Sequence, residues 1–213
     1  SEESVYAVGA QGRVLNYNGA WTTDASGGDA LQDIWGSSED NIVIIDEFGS
    51  SPDLGFAPRT VWGTAVDNVY VAGEAGSISS FDGNEWTPMT SNTSEWINGL
   101  WASSATDVFA VGEKGIIVHF DGTEWTVMDS AVTTNINGVC GTSASEVYAV
   151  GDDSVLLYLD GTEWEAVDTE TVVNVNDIWC SDEKDVIAVG DDGTIIFSNG
   201  KIKRKKRKKR NNN

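Results

Sequence analysis

Positive charge is scarce in this sequence outside one short stretch. Nine of the thirteen Lys and Arg residues lie in the final thirteen positions, KIKRKKRKKRNNN, so residues 1–200 carry 34 acidic side chains against four basic ones, a net charge of −30. Such a surface repels nucleic-acid phosphates and anionic lipid headgroups, and it attracts cations. We therefore expect no nucleic-acid partner for the acidic body of the chain, and we expect partners or ions that carry positive charge.

Histidine occurs only once, and long apolar runs and catalytic motifs are missing. The single histidine, His119, cannot build a histidine-based metal or cofactor site, and we interpret it as a packed or edge-facing strand residue. No apolar run approaches the about 18 residues that a membrane-spanning helix needs, which predicts no membrane insertion. There is no G-x-S-x-G, P-loop or H-E-x-x-H pattern to place a nucleophile or a metal beside a base. These absences predict a protein that is not an enzyme and has no organic cofactor.

A 39-residue repeat dominates what is present. Two series of glycines and two series of tryptophans keep this period, with Cys140 in place of one tryptophan: Gly73, Gly112, Gly151 and Gly190; Gly83, Gly122, Gly161 and Gly200; Trp86, Trp125 and Trp164; Trp62, Trp101 and Trp179. Periods of this length indicate a solenoid or a propeller. The segments between the glycines are short, rich in Val, Ile, Tyr and Phe, and bounded by Gly, Asp and Asn, so they are predicted to be strands.

Each repeat is predicted to form four antiparallel strands, A to D, which read INGLWAS, DVFAVG, IIVHF and EWTVMD in the best-preserved copy. Strand B is apolar on both faces and must be covered on both faces. Asp121-Gly122 is predicted to join C to D in a tight hairpin, with positive φ at both residues. Four-stranded sheets stacked face to face are the blades of a β-propeller.

Strand B occurs six times, beginning at Ser4, Asn41, Asn68, Asp107, Glu146 and Asp185. The sequence therefore predicts an all-β propeller of about six four-stranded blades over residues 1–200. Only 27 residues separate the equivalent positions Asp46 and Gly73, so either the second blade is abbreviated or residues are omitted there. The first repeat has no strand A and no strand A follows the last repeat, which predicts incomplete ring closure or a fragment of a longer protein. The tail 201–213 is interpreted either as a targeting or polyanion-binding arm or as a tag or provisional assignment.

The repeat pattern W-x-x-S-x-x-D-V-x-A-V-G-x-x-G-x-I-x-x-F-D-G-x-x-W resembles the propeller repeats of secreted and cell-surface bacterial proteins. It is also similar to the Asp-box (BNR) repeats of sialidase-type propellers, but departs from them because its Asp and Gly are adjacent. The resemblance implies a secreted, extracellular or cell-surface location. Sialidase chemistry would require three arginines, and this chain has two outside its tail, so a glycoside hydrolase is the least favoured function.

The aromatic residues divide into two groups. Trp86, Trp125 and Trp164, with Gly83, Gly122 and Gly161, recur at one position in each repeat and are interpreted as structural, in preference to sugar-stacking platforms. Trp96 occurs once, in the loop SNTSEW between strands D and A. Because loops on a rigid scaffold often carry recognition, Trp96 is the candidate ligand-binding residue, with Asn92 and Glu95 beside it.

The turns between strands B and C place carboxylates at equivalent positions: Glu74, Glu113, Asp152, Asp153, Asp191 and Asp192. Asp152, Asp153, Asp191 and Asp192 are the candidate metal ligands, for calcium, although solvated turn residues are the favoured interpretation. Cys140 and Cys180 lie forty residues apart in a 39-residue repeat and so are not equivalent. We interpret them as two partly buried thiols in preference to a disulfide.

Two functions remain open from the sequence. The first is a non-catalytic extracellular module that recognises a glycan or a protein through loops between blades. The second is a structural subunit that assembles into a larger surface or filament complex through unpaired strand edges.

Overall fold

The computed structural model describes residues 5–17, 19–25, 27–38, 41–49, 52–169, 172–181 and 185–199. The basic tail 201–213 lies outside these residues, as does Gly200. Within the described part the regular structure is all-β, apart from five short 3₁₀ turns, and no helix has the length and hydropathy needed to cross a bilayer. The strands are β1 (Val5–Gly9), β2 (Arg13–Tyr17), β3 (Trp21–Ala25), β4 (Leu31–Ser38), β5 (Asn41–Asp46), β6 (Pro58–Ala65), β7 (Asn68–Gly73), β8 (Ile78–Phe81), β9 (Trp86–Met89), β10 (Ile97–Ser104), β11 (Asp107–Gly112), β12 (Ile117–Phe120), β13 (Trp125–Met128), β14 (Ile136–Ser143), β15 (Glu146–Gly151), β16 (Leu156–Leu159), β17 (Trp164–Ala166), β18 (Val175–Cys180), β19 (Asp185–Gly190) and β20 (Ile195–Asn199).

These strands form antiparallel sheets in which each strand pairs with the next in sequence. Sheet 1 is β1–β3, sheet 2 is β4–β5, sheet 3 is β6–β9, sheet 4 is β10–β13, sheet 5 is β14–β17 and sheet 6 is β18–β20. Each sheet packs against the one that follows it in the chain. The arrangement is that of a propeller, with the A strands β4, β6, β10, β14 and β18 innermost.

The prediction of six four-stranded blades is wrong. The described residues contain twenty strands, the number that five four-stranded blades require. Only sheets 3, 4 and 5 have four strands each, whereas sheet 1 has no described strand A, sheet 6 has no described strand D, and sheet 2 has two strands. The number of blades was taken from the six copies of strand B, whereas three of the six sheets have fewer than four described strands.

Sheet 4 shows how the repeat makes a blade. Trp101, Phe109 and His119 lie side by side on one face of neighbouring strands, and Val108 and Ala110 point to the other face. The strand B residues Val108, Phe109 and Ala110 are all buried, because sheets 3 and 5 cover the two faces of sheet 4. This agrees with the pattern of apolar residues on both faces of strand B.

Close packing between sheets depends on a large residue facing a small one. A Cβ atom built on Gly141 of sheet 5 would lie 2.5 Å from the Trp101 ring of sheet 4, and one built on Gly63 would lie 2.7 Å from the Trp35 ring. The Trp therefore occupies the volume that a side chain on the next sheet would need. Trp35 and Trp101 thus each reach the position one residue beyond their own equivalent in the following sheet, which is Trp62 in sheet 3 and Cys140 in sheet 5.

This offset overturns the interpretation of the cysteines as free thiols. Cys140 occupies the Trp position of sheet 5, and Cys180 occupies the small-residue position of sheet 6. Their Cα atoms are 5.6 Å apart and their sulfurs form a disulfide. The spacing of forty residues in a 39-residue repeat is therefore what brings the two side chains together.

The hairpin between strands C and D also differs from the prediction. Four residues separate the paired residues Phe120 and Trp125, and Gly122 but not Asp121 has positive φ. The Asp121 carboxylate accepts hydrogen bonds from the backbone N–H groups of Thr123 and Glu124 at 2.9 and 3.1 Å. The turn is closed by this side chain, as in Asx turns.

Candidate functional site

The inner strands of sheets 2 to 6 surround a cavity of about 440 Å³ on the axis of the propeller. It is lined by residues 33–35 of β4, 59–62 of β6, 98–100 of β10, 137–139 of β14 and 176–179 of β18. Each segment lies near the start of a strand A, on the ring face that carries the B-to-C turns and the D-to-A connections. We call this cavity the channel site.

A repeated asparagine contributes to its wall. Asn98 donates from Nδ2 to the carbonyl oxygen of Ile136 at 3.0 Å, and Asn137 donates in the same way to Val175 at 3.0 Å. Each of these bonds joins the inner strand of one sheet to that of the next. Asn176 holds the same position in β18, where its Nδ2 donates to the carboxylate of Asp191 at 3.0 Å.

In sheets 2 and 6, the residue after the position equivalent to Asn98 is an aspartate: Asp33 in β4 and Asp177 in β18. Asp33 accepts the N–H of Ile34 on one oxygen at 2.8 Å and that of Val61 on the other at 2.9 Å. Burial raises the pKa of Asp33, hydrogen bonds from Val61, Ile34 and Thr60 oppose the rise, and the negative charge of Asp177 adds to it. The equivalent residues of sheets 3, 4 and 5 are Thr60, Gly99 and Gly138. At this position, therefore, only sheets 2 and 6 contribute a carboxylate to the cavity wall.

Asp177 is the more accessible of the two carboxylates. Its Oδ1 accepts the N–H of Ile178 at 2.8 Å, and the residue is exposed to solvent inside the cavity. The surrounding walls still remove part of its hydration, and this desolvation raises its pKa against the opposing hydrogen bond.

One cation stands among these groups. Arg59 donates from Nη1 to Asn98 Oδ1 at 2.6 Å and to Glu113 Oε1 at 3.0 Å, and its guanidinium carbon lies 4.0 Å from the centre of the Trp96 ring. Of the described residues that line the cavity, only Arg59 is basic. The positive charge of Arg59 is balanced by its ion pair with Glu113. The carboxylates of Asp33 and Asp177 therefore give the site a net negative charge.

The three predicted ligand-binding residues do not form one surface. Trp96 is half-buried above Arg59, and Glu95 pairs with Lys114, with Oε2 2.9 Å from Nζ. Asn92 instead turns towards sheet 4, where its Nδ2 donates to the carbonyl oxygen of Trp125 at 2.7 Å. It borders a separate open groove of about 430 Å³ formed by residues 75–77 and 89–94. Trp96 thus belongs to the rim of the channel site, which the sequence did not indicate.

The predicted calcium ligands are held by amides. Both oxygens of Asp152 accept hydrogen bonds, from Asn135 and Asn137 at 3.0 Å, and Asp191 is held likewise by Asn174 and Asn176. Asp153 and Asp192 have positive φ, 55° and 56°, at the second position of the same turns. In the part of the chain described, no group of three or more His, Cys, Asp or Glu side chains could hold a metal ion. Calcium binding stays a prediction.

The repeated structural residues lie away from the channel site. Trp125 and Trp164 are buried and Trp86 is half-buried. Gly83, Gly122 and Gly161 have φ near 90°; a Cβ on Gly122 would lie 2.8 Å from Thr106. The C-to-D hairpin therefore packs against the A-to-B turn at the opposite end of the strands.

Sequence reasoning missed Asp33, Arg59, Asn98 and Asp177. A signal was present, because Asn98, Asn137 and Asn176 recur with the 39-residue period at a position that the innermost strand turns towards the axis. The two aspartates break the repeat at the next position. Departures from a repeat on the channel-facing strand would have identified both.

Comparison with known proteins gives the fold. No protein-family model and no curated protein matches the sequence. Among solved structures, "YCF48 bound to D1 peptide" is similar with a TM-score of 0.72 and 13% identity, over 94% of this chain and 76% of that one. YCF48 from Cyanidioschyzon merolae gives 0.62 and 17%, over 94% and 80%. The WD40 β-propeller domain of Doa1 gives 0.60 and 12%, over 93% and 90%. The predicted β-propeller is confirmed, and at these identities the likeness shows the fold alone.

Proposed function

We propose that this chain is a non-catalytic binding module whose channel site takes an extended peptide segment of another protein, with a Lys or Arg side chain directed towards Asp33 and Asp177. The observation that carries this proposal is the pair of carboxylates with raised pKa in a cavity where Arg59, the one basic side chain among the described lining residues, is already paired with Glu113. A positively charged group entering the cavity would stabilise both carboxylates in their ionised form.

The other groups of the site suit a peptide. Asparagine amides and carboxylate oxygens hydrogen-bond to main-chain N–H and C=O groups, and Trp96 offers a half-buried ring at the rim. One of the similar YCF48 structures is bound to a D1 peptide, which supports a peptide ligand for this scaffold.

The test is a panel of fluorescent peptides that differ only in charge, with Lys, Gln or Glu at a central position, titrated against the full chain. We expect binding of the Lys peptide alone, weakening as salt is added, and a loss of about tenfold, equivalent to about 1.4 kcal/mol, in Asp177→Asn. Glu124→Gln is the matched control, because it removes one charge from the exposed C-to-D hairpin at the other end of the strands. Equal effects of the two substitutions would mean that only the net charge of the chain matters.

The glycan ligand of the first sequence-based function remains the alternative within this proposal. It rests on Trp96 as a stacking surface. A glycan array probed with the chain and with Trp96→Ala decides between the two, because peptide binding in the cavity should survive competition by any sugar.

We also propose a secreted or cell-surface location. The Cys140–Cys180 disulfide supports it, since such bonds persist in oxidising compartments. Calcium at the B-to-C turns remains a further proposal. A saturable rise in melting temperature with calcium, beyond that given by sodium chloride of equal ionic strength, would support it.

A further inference from the structure

The disulfide lies directly beside the channel site. Residues 137–139 of β14 and 176–179 of β18 line the cavity, and each strand continues with a cysteine, Cys140 in β14 and Cys180 in β18. Their sulfurs are bonded and their Cα atoms are 5.6 Å apart. The bond therefore fixes the separation of the two inner strands at this side of the cavity.

Asp177 lies between two links that join β18 to β14. Two residues before it, the carbonyl oxygen of Val175 accepts a hydrogen bond from Nδ2 of Asn137 at 3.0 Å, and three residues after it comes the disulfide. Between these links β14 offers no side chain that could hold β18, because its residue there is Gly138, where a Cβ atom would lie 3.1 Å from Oδ1 of Asp177. The place of this carboxylate in the cavity wall therefore depends on the two links.

A tryptophan occupies the place of the disulfide at the other junctions between described inner strands. The Trp101 ring of sheet 4 packs over Gly141 of sheet 5, and the Trp35 ring of sheet 2 packs over Gly63 of sheet 3. Trp62 of sheet 3 packs against a core cluster that includes residues of sheet 4. Between sheets 5 and 6, a covalent bond thus replaces the contact of a ring that buries about 200 Å².

This replacement makes one junction of the propeller sensitive to redox state. When the bond is reduced, two small thiols remain where the other junctions have a large ring over a small residue. The thiols make far fewer packing contacts than a tryptophan, so they hold the two strands less firmly. The sequence contains no other cysteine, so a reductant leaves the remaining junctions unchanged.

We infer that this bond is a redox switch for the channel site: the ligand binds while the bond is formed, and reduction by a dithiol frees β18 and withdraws Asp177 from the cavity wall. The inference rests on the function proposed above for this site. Under the proposed secreted location, the site would be completed only after export, because disulfides form and persist in oxidising compartments.

The chemistry of the switch is thiol–disulfide exchange. A reductant reaches Cys180, which is half-buried, more readily than Cys140, which is 5% exposed. A thiolate of the dithiol attacks Sγ of Cys180, forms a mixed disulfide with it and releases Cys140 as a thiolate. The second thiol of the reductant then displaces Cys180, so the reductant leaves as a disulfide and the chain gains two electrons and two protons.

The experiment compares the full chain before and after reduction by dithiothreitol, with two measurements that need no ligand. Amide exchange in β18 should become faster by about tenfold or more, while exchange in β10 and β11 stays within about twofold. NMR titration should show the raised pKa of Asp177 falling towards its usual value, because the freed carboxylate regains its hydration. The pKa of Asp121, in a hairpin of sheet 4, should not change.

The third measurement is binding of the fluorescent Lys peptide, which should weaken by about tenfold on reduction, as it should in Asp177→Asn. Failure of this peptide to bind the oxidised chain would refute the proposed function. Unchanged β18 exchange together with an unchanged Asp177 pKa after reduction would refute the switch. Equally faster exchange in sheets 3, 4 and 6 would also refute it, because reduction would then act on the whole fold.

Two double variants serve as controls. Cys140→Ser with Cys180→Ser should behave like the reduced chain when no reductant is present. Cys140→Trp with Cys180→Gly restores the arrangement of Trp101 over Gly141, so it should keep slow exchange in β18 and tight peptide binding with or without dithiothreitol. A serine variant that matches the oxidised chain in exchange and binding would overturn the inference, whether or not the larger tryptophan is accommodated.

Discussion

The middle and the ends of this molecule use the same repeat with different results. Trp125 in sheet 4 and Trp21 in sheet 1 occupy the same position, each paired with an aromatic residue at the end of strand C. Trp125 is 1% exposed and Trp21 is 55% exposed. The difference lies in the preceding sheet: Tyr70 of sheet 3 meets Trp125 edge to face at 6.4 Å, and no described sheet precedes sheet 1. The position of a residue in the repeat therefore decides which way its side chain points. The neighbouring sheet decides how far that side chain is buried, and so how much it stabilises the fold.

The largest effect should separate these two tryptophans. Trp125→Ala is expected to cost about 3–5 kcal/mol of unfolding free energy, because it leaves a cavity between sheets 3 and 4. Trp21→Ala should cost about 1 kcal/mol or less, since more than half of the Trp21 side chain is already exposed and its ring packs at the surface against Tyr17. Urea denaturation monitored by circular dichroism measures both. Similar midpoints for the two variants would contradict the contrast.

Removal of the disulfide is expected to have the second-largest effect on stability, because the bond links sheet 6, at one end of the molecule, to sheet 5. Replacing both cysteines by serine should cost about 2–4 kcal/mol, as the bond closes a loop of about forty residues in the unfolded chain. Reducing agent should lower the stability of the original chain by the same amount and leave the double variant unchanged. An effect of reducing agent on the double variant would show that another process is being measured.

A pair of equivalent glycines gives a smaller contrast. A Cβ on Gly112 would lie 1.9 Å from the carbonyl oxygen of Trp96, where the chain enters strand A, whereas a Cβ on Gly9 would have no atom within 4 Å. Gly112→Ala should therefore cost about 1–3 kcal/mol through overpacking. Gly9→Ala should be neutral or stabilising by up to about 1 kcal/mol, since it restricts the unfolded chain. A large loss of stability in Gly9→Ala would imply that a strand lies beside β1.

The smallest expected effect on stability comes from the carboxylate of Asp177 in sheet 6. The pKa of Asp177 is raised in the folded chain, so its contribution becomes less favourable as pH rises from the unfolded value, near 3.8, through the higher folded value. Asp177→Asn should slightly raise the melting temperature at pH 7, and this gain should vanish below about pH 3.8. A gain that persists at pH 3 would point to a cause other than ionisation.

The pKa of Asp121, in a hydrogen-bonded turn, is shifted in the opposite direction to that of Asp177, so its effect on stability has the opposite pH dependence. Hydrogen bonds from Thr123 and Glu124 lower the pKa of Asp121 to about 2, so its stabilising effect is present above pH 3.8 and is lost as pH falls towards about 2. NMR titration should place the two carboxylates on opposite sides of 3.8. The reverse order would contradict the assigned environments.

The sequence by itself determined the strands, the antiparallel pairing within each sheet and the covered faces of strand B. These features depend on alternation and on turn residues within about forty positions, and sheets 3 to 5 follow them closely. It also placed Trp96 in a loop of its own, because a residue that breaks a repeat is visible without a structure.

Only the tertiary structure decided how many strands each sheet has, which tryptophans are buried, that Cys140 and Cys180 are bonded, and that Asp33 and Asp177 share a cavity. The repeat marks Asp33 and Asp177 as departures at one equivalent position, but their sequence positions are far apart and do not show that the two carboxylates line the same cavity. The physical reason is common to all four: burial, desolvation and the approach of two side chains are properties of the surface between sheets, and that surface exists only once the sheets have stacked.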